Sequence, residues 1–272
     1  MSLEIRSLHK SFSGRGGYQH VLRGVDLTVE RGEFVSFIGH SGCGKSTLLN
    51  VVAGLSKPDS GEVRLNGRPV SEPGPDRAIV FQHYSLLPWM SVYSNVWEAS
   101  HSSRPDRTRA QTGEVVERYL TAVGLWPHKS KRPGQISGGM KQRAAVARAF
   151  AVGPEVLLLD EPFGALDALT RAKLQEQLVE LWTGESSTET VLMVTHGLDE
   201  AIYLADRVVV MGNAPAPSVL EILEVPISRP RDKTTIVHEP AYQHVYNRLS
   251  DLLTGDMAGH PSKAAGHGSP RG

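Results

Sequence analysis

Apolar and polar residues alternate from Leu3 to Leu8, and a second strand-like run covers Val21 to Val29, the pattern of half-buried strands. Phe34-Val35-Ser36-Phe37-Ile38 is apolar almost throughout, and so are Ala78-Ile79-Val80-Phe81, Val156-Leu157-Leu158-Leu159 and Val191-Leu192-Met193-Val194. Runs this short and this apolar fit strands buried on both faces, as in a parallel sheet covered by helices. Helical segments fall between them: one from Leu48, one over Glu114 to Val123, and one after Ser137, in which Met140, Ala144, Ala147 and Phe150 share a face. Further helices are expected over Ala168 to Trp182 and over 198–206, and a strand over Arg207 to Met211. Glu62 to Asn66, bounded by glycines, predicts a short strand, whereas 11–18, 100–113 and 183–189 read as loops. Beyond 212 the prolines at 215, 217, 226 and 230 separate short strand-like pieces, a modest helix spans Tyr242 to Leu253, and 258–272 has the composition of a disordered tail. The alternation of strand and helix predicts an α/β fold.

Composition narrows the function. The 272 residues are 40% hydrophobic and 21% charged, enough for one large domain with or without a smaller lobe. Lys plus Arg equals Asp plus Glu at 29 each, so no overall charge favours nucleic acid or anionic lipid as a partner. Cys43 is the single cysteine, which excludes an internal disulfide, offers no metal-ligand spacing and fits a reducing compartment. No basic segment followed by an apolar one opens the chain, and nowhere do eighteen apolar residues run together. The expectation is a chain that neither is secreted nor spans a membrane, and that reaches one only through another protein.

Gly39-His40-Ser41-Gly42-Cys43-Gly44-Lys45-Ser46-Thr47 carries the clearest chemistry. It sits between an apolar strand and a helix, the context that a phosphate-binding loop requires. Its glycines permit a tight turn with inward N–H groups, and the following helix points its positive end at the same spot. Lys45 is placed to neutralise the β- and γ-phosphates of a nucleotide, and the Ser46 hydroxyl to ligate Mg²⁺. A thiol reagent on Cys43 is expected to block nucleotide binding. Asp160 leaves the carboxyl end of a buried strand and suits a water-mediated Mg²⁺ ligand, and Glu161 suits a general base for the attacking water. Ser137-Gly138-Gly139 opens a helix with two residues poor for helix stability, which makes sense if backbone N–H groups approach a second anion; the plainer reading is an ordinary loop. Phe12 can stack on an adenine ring or pack on its own sheet, with Tyr18 a weaker candidate. Gln82 ends a strand where ligands bind or where a surface amide sits, and a lone strand-end histidine such as His196 is more often structural than catalytic. Ser85 to Tyr93, rich in Leu, Trp, Met and Tyr, is either buried or a partner-docking patch.

Taken in order, these segments resemble the ATP-binding cassette of ABC transporters, over about residues 3 to 212. Gly39 to Thr47 is similar to Walker A, Gln82 to the Q-loop, Ile136 to Gln142 to the signature, Leu157 to Glu161 to Walker B with its glutamate, Ala165-Leu166-Asp167 to the D-loop and His196 to the H-loop. Ile136, Met140 and Gly197 depart from the commonest pattern. The resemblance implies an α/β P-loop NTPase with a RecA-like core, an antiparallel β subdomain and a helical subdomain over about 85–152. The cassette domain would cover 1–230 and a C-terminal extension 231–272, with the last fifteen or so residues disordered. It implies ATP and Mg²⁺ as cofactors, bound by Phe12, Gly39, Ser41, Gly42, Cys43, Gly44, Lys45, Ser46, Thr47, Gln82 and Asp160 of one chain, with Ser46, Gln82 and Asp160 at the metal. Ser137, Gly138 and Gly139 would hold the ATP of a second cassette, and Asp167 of the D-loop would also contact nucleotide. Catalysis falls to Glu161, His196, Lys45 and Gln82, the last and His196 sensing γ-phosphate and water. The implied partners are a second cassette, an integral membrane permease docked near Ser85 to Tyr93 and, indirectly, a solute-binding protein, with no nucleic acid. The implied place is the cytoplasmic face of the inner membrane, as a peripheral subunit. Gly74-Pro75-Asp76-Arg77, Phe81-Gln82 and Ser85-Leu86-Leu87-Pro88-Trp89 resemble the importer branch for nitrate, sulfonates, taurine, cyanate or bicarbonate, and His40 and Arg229-Pro230-Arg231-Asp232 lean toward its nitrate-type members, with sulfonate or taurine import next and a soluble, non-transport ABC ATPase further off.

Overall fold

The computed structural model describes residues 2–14, 17–184, 186–214 and 216–258. The chain opens with two long antiparallel strands, β1 (Ser2–Gly14) and β2 (Gly17–Glu30). A buried strand β3 (Phe34–Gly39) follows, then helix α1 (Lys45–Val52), the strands β4 (Ser60–Leu65) and β5 (Arg68–Pro69), and β6 (Arg77–Val80). Three helices come next, α2 (Val92–Ser103), α3 (Arg109–Ala122) and α4 (Gly138–Val152). The remainder alternates: β7 (Val156–Asp160), α5 (Ala168–Thr183), β8 (Thr190–Val194), α6 (Leu198–Leu204) and β9 (Arg207–Met211). β10 (Val219–Glu224) and α7 (Pro240–Ala258) close it.

Two sheets result among the described residues. One is antiparallel in the order β2-β1-β4-β5; the other runs β10-β9-β3-β8-β7-β6, parallel except for β10. The apolar runs behave as their composition requires. Phe34 and Ile38 of β3 pack with helices α2 to α7 on one side of the parallel sheet, while Val35 and Phe37 pack against α1 and the antiparallel sheet on the other. Register places the functional ends together. Phe37 pairs with Val194, Asp160 with Val194 and Val80 with Leu159, so the chain leaves β3, β8, β7 and β6 at one edge.

Several expected loops are regular structure. Residues 11–14 and 17–18 continue the β1–β2 ribbon, with Phe12 opposite Gln19, Ser13 opposite Tyr18 and Gly14 opposite Gly17; residues 15–16 lie outside the described residues. Polar residues face water on both sides there, which erased the alternation. Within 100–113, α2 continues to Ser103 and α3 begins at Arg109 behind a capping box of Thr108 and Gln111, a signal that the polar composition masked. Helix α7 starts at Pro240 and reaches Ala258, longer than the expected 242–253. The tail 259–272 lies outside the described residues.

Arg229 and Arg231 turn out to be fold determinants. Arg229 Nε donates to Asp206 Oδ1 at 3.1 Å, and the other carboxylate oxygen of Asp206 accepts from the Phe34 N–H at 2.8 Å, tying the segment to β3. Arg231, with 2% of its side chain exposed, donates to the carbonyls of Ile202 and Ala205, both at 2.7 Å, at the C-terminal end of α6, and to Ile227 O at 2.9 Å. A cation at a helix C-terminus satisfies orphan carbonyls and the helix dipole together. Burial pulls its pKa down to about 10, so it stays charged at neutral pH. Replacing Arg231 with Met would leave those carbonyls unpaired, and guanidinium unfolding should then show a loss of about 3 kcal/mol.

Candidate active site

Everything chemical gathers where the parallel strands end. The loop after β3 passes so close to β9 that a Cβ on Gly39 would lie 2.4 Å from Met211 O, and Gly44, with φ 101°, takes a left-handed turn into α1. No side-chain oxygen caps α1, so its leading N–H groups remain directed at the loop. A cavity of about 400 Å³ opens there, lined by Ser41, Gly42, Gly44, Lys45, Ser46 and Thr47 from the loop and by Glu161 and His196 from across the sheet edge. The Lys45 ammonium donates to Gly39 O at 2.7 Å and His40 O at 3.0 Å.

The acids fall beside it. Ser46 Oγ donates to Asp160 Oδ1 at 2.8 Å, which joins the two residues expected at Mg²⁺. Burial pushes the Asp160 carboxyl above its ordinary value, against the lowering effect of the Ser46 hydrogen bond. Glu161 follows in a left-handed backbone conformation, φ 48°, with its N–H on Val194 O at 3.0 Å. Its carboxylate sits between two residues far apart in sequence: Gln82 Nε2 donates to Oε2 at 3.0 Å, and His196 Nε2 lies 2.8 Å from Oε1. Both side chains, ambiguous as isolated residues, converge on one carboxylate.

Other predicted residues lie elsewhere. Ser137 caps α4, accepting from Met140 N at 3.3 Å, and neither it nor Gly138 nor Gly139 lines the cavity. A Cβ on Gly139 would fall 2.6 Å from Thr170 Cγ2, so this helix start is pressed against that of α5. Asp167 caps α5 by accepting from Thr170 N at 3.0 Å, and this backbone hydrogen bond holds its carboxyl below the usual range. The signature and Asp167 therefore share one surface, apart from the chain's own phosphate loop. Phe12 lines the cavity at 47% exposure, with Lys10 Nζ 5.4 Å from its ring centroid; Tyr18, 80% exposed, does not line it. Gln19 and Val21 of β2 line it as well, and sequence reasoning missed them. Their i, i+2 spacing is the available signal, once 11–18 is read as strand.

The family described as ABC transporter matches residues 22–164. The chain belongs to that family. Among ABC proteins it is 51% identical, over 90% of its length and 88% of the relative's, to a nitrate import ATP-binding protein of Synechococcus elongatus. It is 49% identical to a bicarbonate transport ATP-binding protein of the same organism, over 92% and 90% of the two chains. A solved dimer of the ATP-binding cassette MJ0796 with ADP and Pi superposes with a TM-score of 0.72 at 28% identity, over 83% of this chain and all of the other. The expected α/β cassette fold is thereby established, with ATP as the nucleotide class and ATP hydrolysis as the activity.

Cys43 requires a correction. Its thiol is 2% exposed and packs in the core with Leu48 and Leu49, and it does not line the cavity. Burial pushes its pKa up, opposed by Lys45, whose Nζ lies 3.6 Å from the sulfur. A buried thiol with a raised pKa is unreactive. Dithionitrobenzoate at pH 8 should leave Cys43 untouched in the folded ABC protein and titrate one thiol in guanidinium; stoichiometric labelling of the folded chain would contradict this orientation.

Proposed function

We propose that this ABC protein is the ATP-hydrolysing subunit of an importer for nitrate or a related small anion. The observation that carries the chemistry is Glu161 held between Gln82 and His196 at the mouth of the phosphate loop. Support for the solute class comes from the printed roles of the relatives, nitrate and bicarbonate import. Sulfonate or taurine import is the next reading, and no structural feature favours a soluble non-transport ATPase.

The donor set suits MgATP. Lys45 is bonded to neutral carbonyls, which phosphate oxygens replace with a charge-assisted gain. The glycine cradle at Gly39 and Gly44 admits no side chain, leaving N–H groups to face an anion. Ser46 and Asp160 present a hydroxyl and a carboxylate, the hard oxygen donors that Mg²⁺ prefers, with Gln82 within the same constellation. Bound there, Mg²⁺ would supply neutralisation of the phosphate charge. Glu161 accepts the proton of the attacking water, while Gln82 and His196 fix its carboxylate. Phe12 offers its exposed ring to the adenine.

Ser137, Gly138, Gly139 and Asp167 act on the ATP of a second cassette. Support lies in their distance from their own cavity, in the exposure of Ser137 and Gly138, and in Leu169, 85% exposed beside Asp167. The permease docks on 85–93, where Trp89 is 65% exposed and Asn95 Oδ1 and Nδ2 hold the Leu87 N–H and the carbonyls of Leu87, Met90 and Ser91. No described helix is long and apolar enough to cross a membrane, and attachment at the cytoplasmic face runs through the permease contact in this reading.

Glu161→Gln should bind ATP, lose hydrolysis by about 100-fold or more, and elute as a dimer with ATP; wild-type turnover would overturn the assignment. Trp89→Asp should keep nucleotide binding and fail to co-purify a membrane protein that the wild type recovers. Uptake of labelled nitrate, bicarbonate and taurine in cells lacking the chain separates the solutes.

A further inference from the structure

A second cavity, about 280 Å³, lies where α5 and α6 meet the segment leading into α7, and no step of ATP chemistry uses it. Four charges line it: Arg171 and Lys233, Asp199 and Glu200. They are only loosely spent on one another. Arg171 Nε is 3.7 Å from Glu200 Oε1 and, though buried, has no hydrogen-bond partner. Lys233 Nζ donates to Ala172 O at 2.7 Å and lies 3.7 Å from Glu176 Oε1. Asp199 uses Oδ1 for the Tyr242 hydroxyl, and Glu200 uses Oε2 for the Thr195 hydroxyl.

The decisive residue is Gln175. It lines the cavity, is 5% exposed, and its amide makes no hydrogen bond among the described residues. The amide is open to the cavity, so a polar group bound there would find a donor and an acceptor already in place. Ile236, Val237 and Tyr203 supply an apolar wall opposite.

We propose that this cavity binds a small zwitterion of α-amino-acid size. The charges cancel, so an anion alone would face two carboxylates and a cation alone a guanidinium and an ammonium, whereas a carboxylate and an ammonium on one molecule match both pairs. At about 30 Å³ per water-sized group the volume holds on the order of nine such groups, the scale of an amino acid. Gln175 donates to the carboxylate or accepts from the ammonium. Occupancy is linked to the ATP site. Gly197, also in the lining, donates its N–H to Thr195 Oγ1 at 3.0 Å, and the Thr195 hydroxyl bonds Glu200, so the cavity grips both neighbours of His196. Ligand and nucleotide then change each other's affinity by the same factor.

The inference rests on the cavity and stands whichever solute is transported. The test is thermal unfolding of the full chain with each of the twenty α-amino acids at millimolar concentration, with and without ATP. At least one should raise Tm by about 3 °C or more. Gln175→Leu and Lys233→Met should each abolish that shift and keep the shift caused by ATP. The proposal fails if no amino acid moves Tm, if the shift survives both substitutions, or if sodium nitrate or chloride alone reproduces it, which would mark an anion site.

Discussion

Parallel pairing among β3, β8 and β7 is the constraint from which the active site hangs. Each strand is buried on both faces, so a slip by one residue would exchange the side chains packed above and below the sheet. With Phe37 and Asp160 both set against Val194, the phosphate loop, Glu161 and His196 have no freedom to emerge at different heights. Hydrophobic packing on the hydrogen-bonded strands thus supplies the positional accuracy that the catalytic side chains need.

Glu161 is where this order costs something. A non-glycine residue at φ 48° is strained by on the order of 1–3 kcal/mol, and the bond from its N–H to Val194 O keeps it there. The turn separates the directions of neighbouring acids: Asp160 faces the Ser46 hydroxyl, and Glu161 faces Gln82 and His196. Two carboxylates one residue apart acquire different tasks through backbone geometry.

The phosphate loop and the two acids were legible in sequence because their chemistry is local: glycine spacing, a strand before and a helix after. Gln82 and His196 were not legible as isolated residues, since their shared partner lies far along the chain, and only the resemblance to the cassette family lifted them out of ambiguity. Arg231 entered only as part of a family-like segment, and Asn95 not at all, because the structural role of each is to bond backbone carbonyls that tertiary packing delivers. Cys43 was misread for the same reason: a motif says which residues form a loop, not which of their side chains turn inward. The ribbon at 11–18 was missed because periodicity reports burial, and a strand wet on both faces has little to report.

His40, inside the phosphate loop, bonds the Leu253 carbonyl of α7 at 2.8 Å, and Gly39 rests against Met211. The loop thus meets residues that follow it by most of the chain's described length. A chain cut before Met211 would display the full glycine motif without the surfaces that shape it.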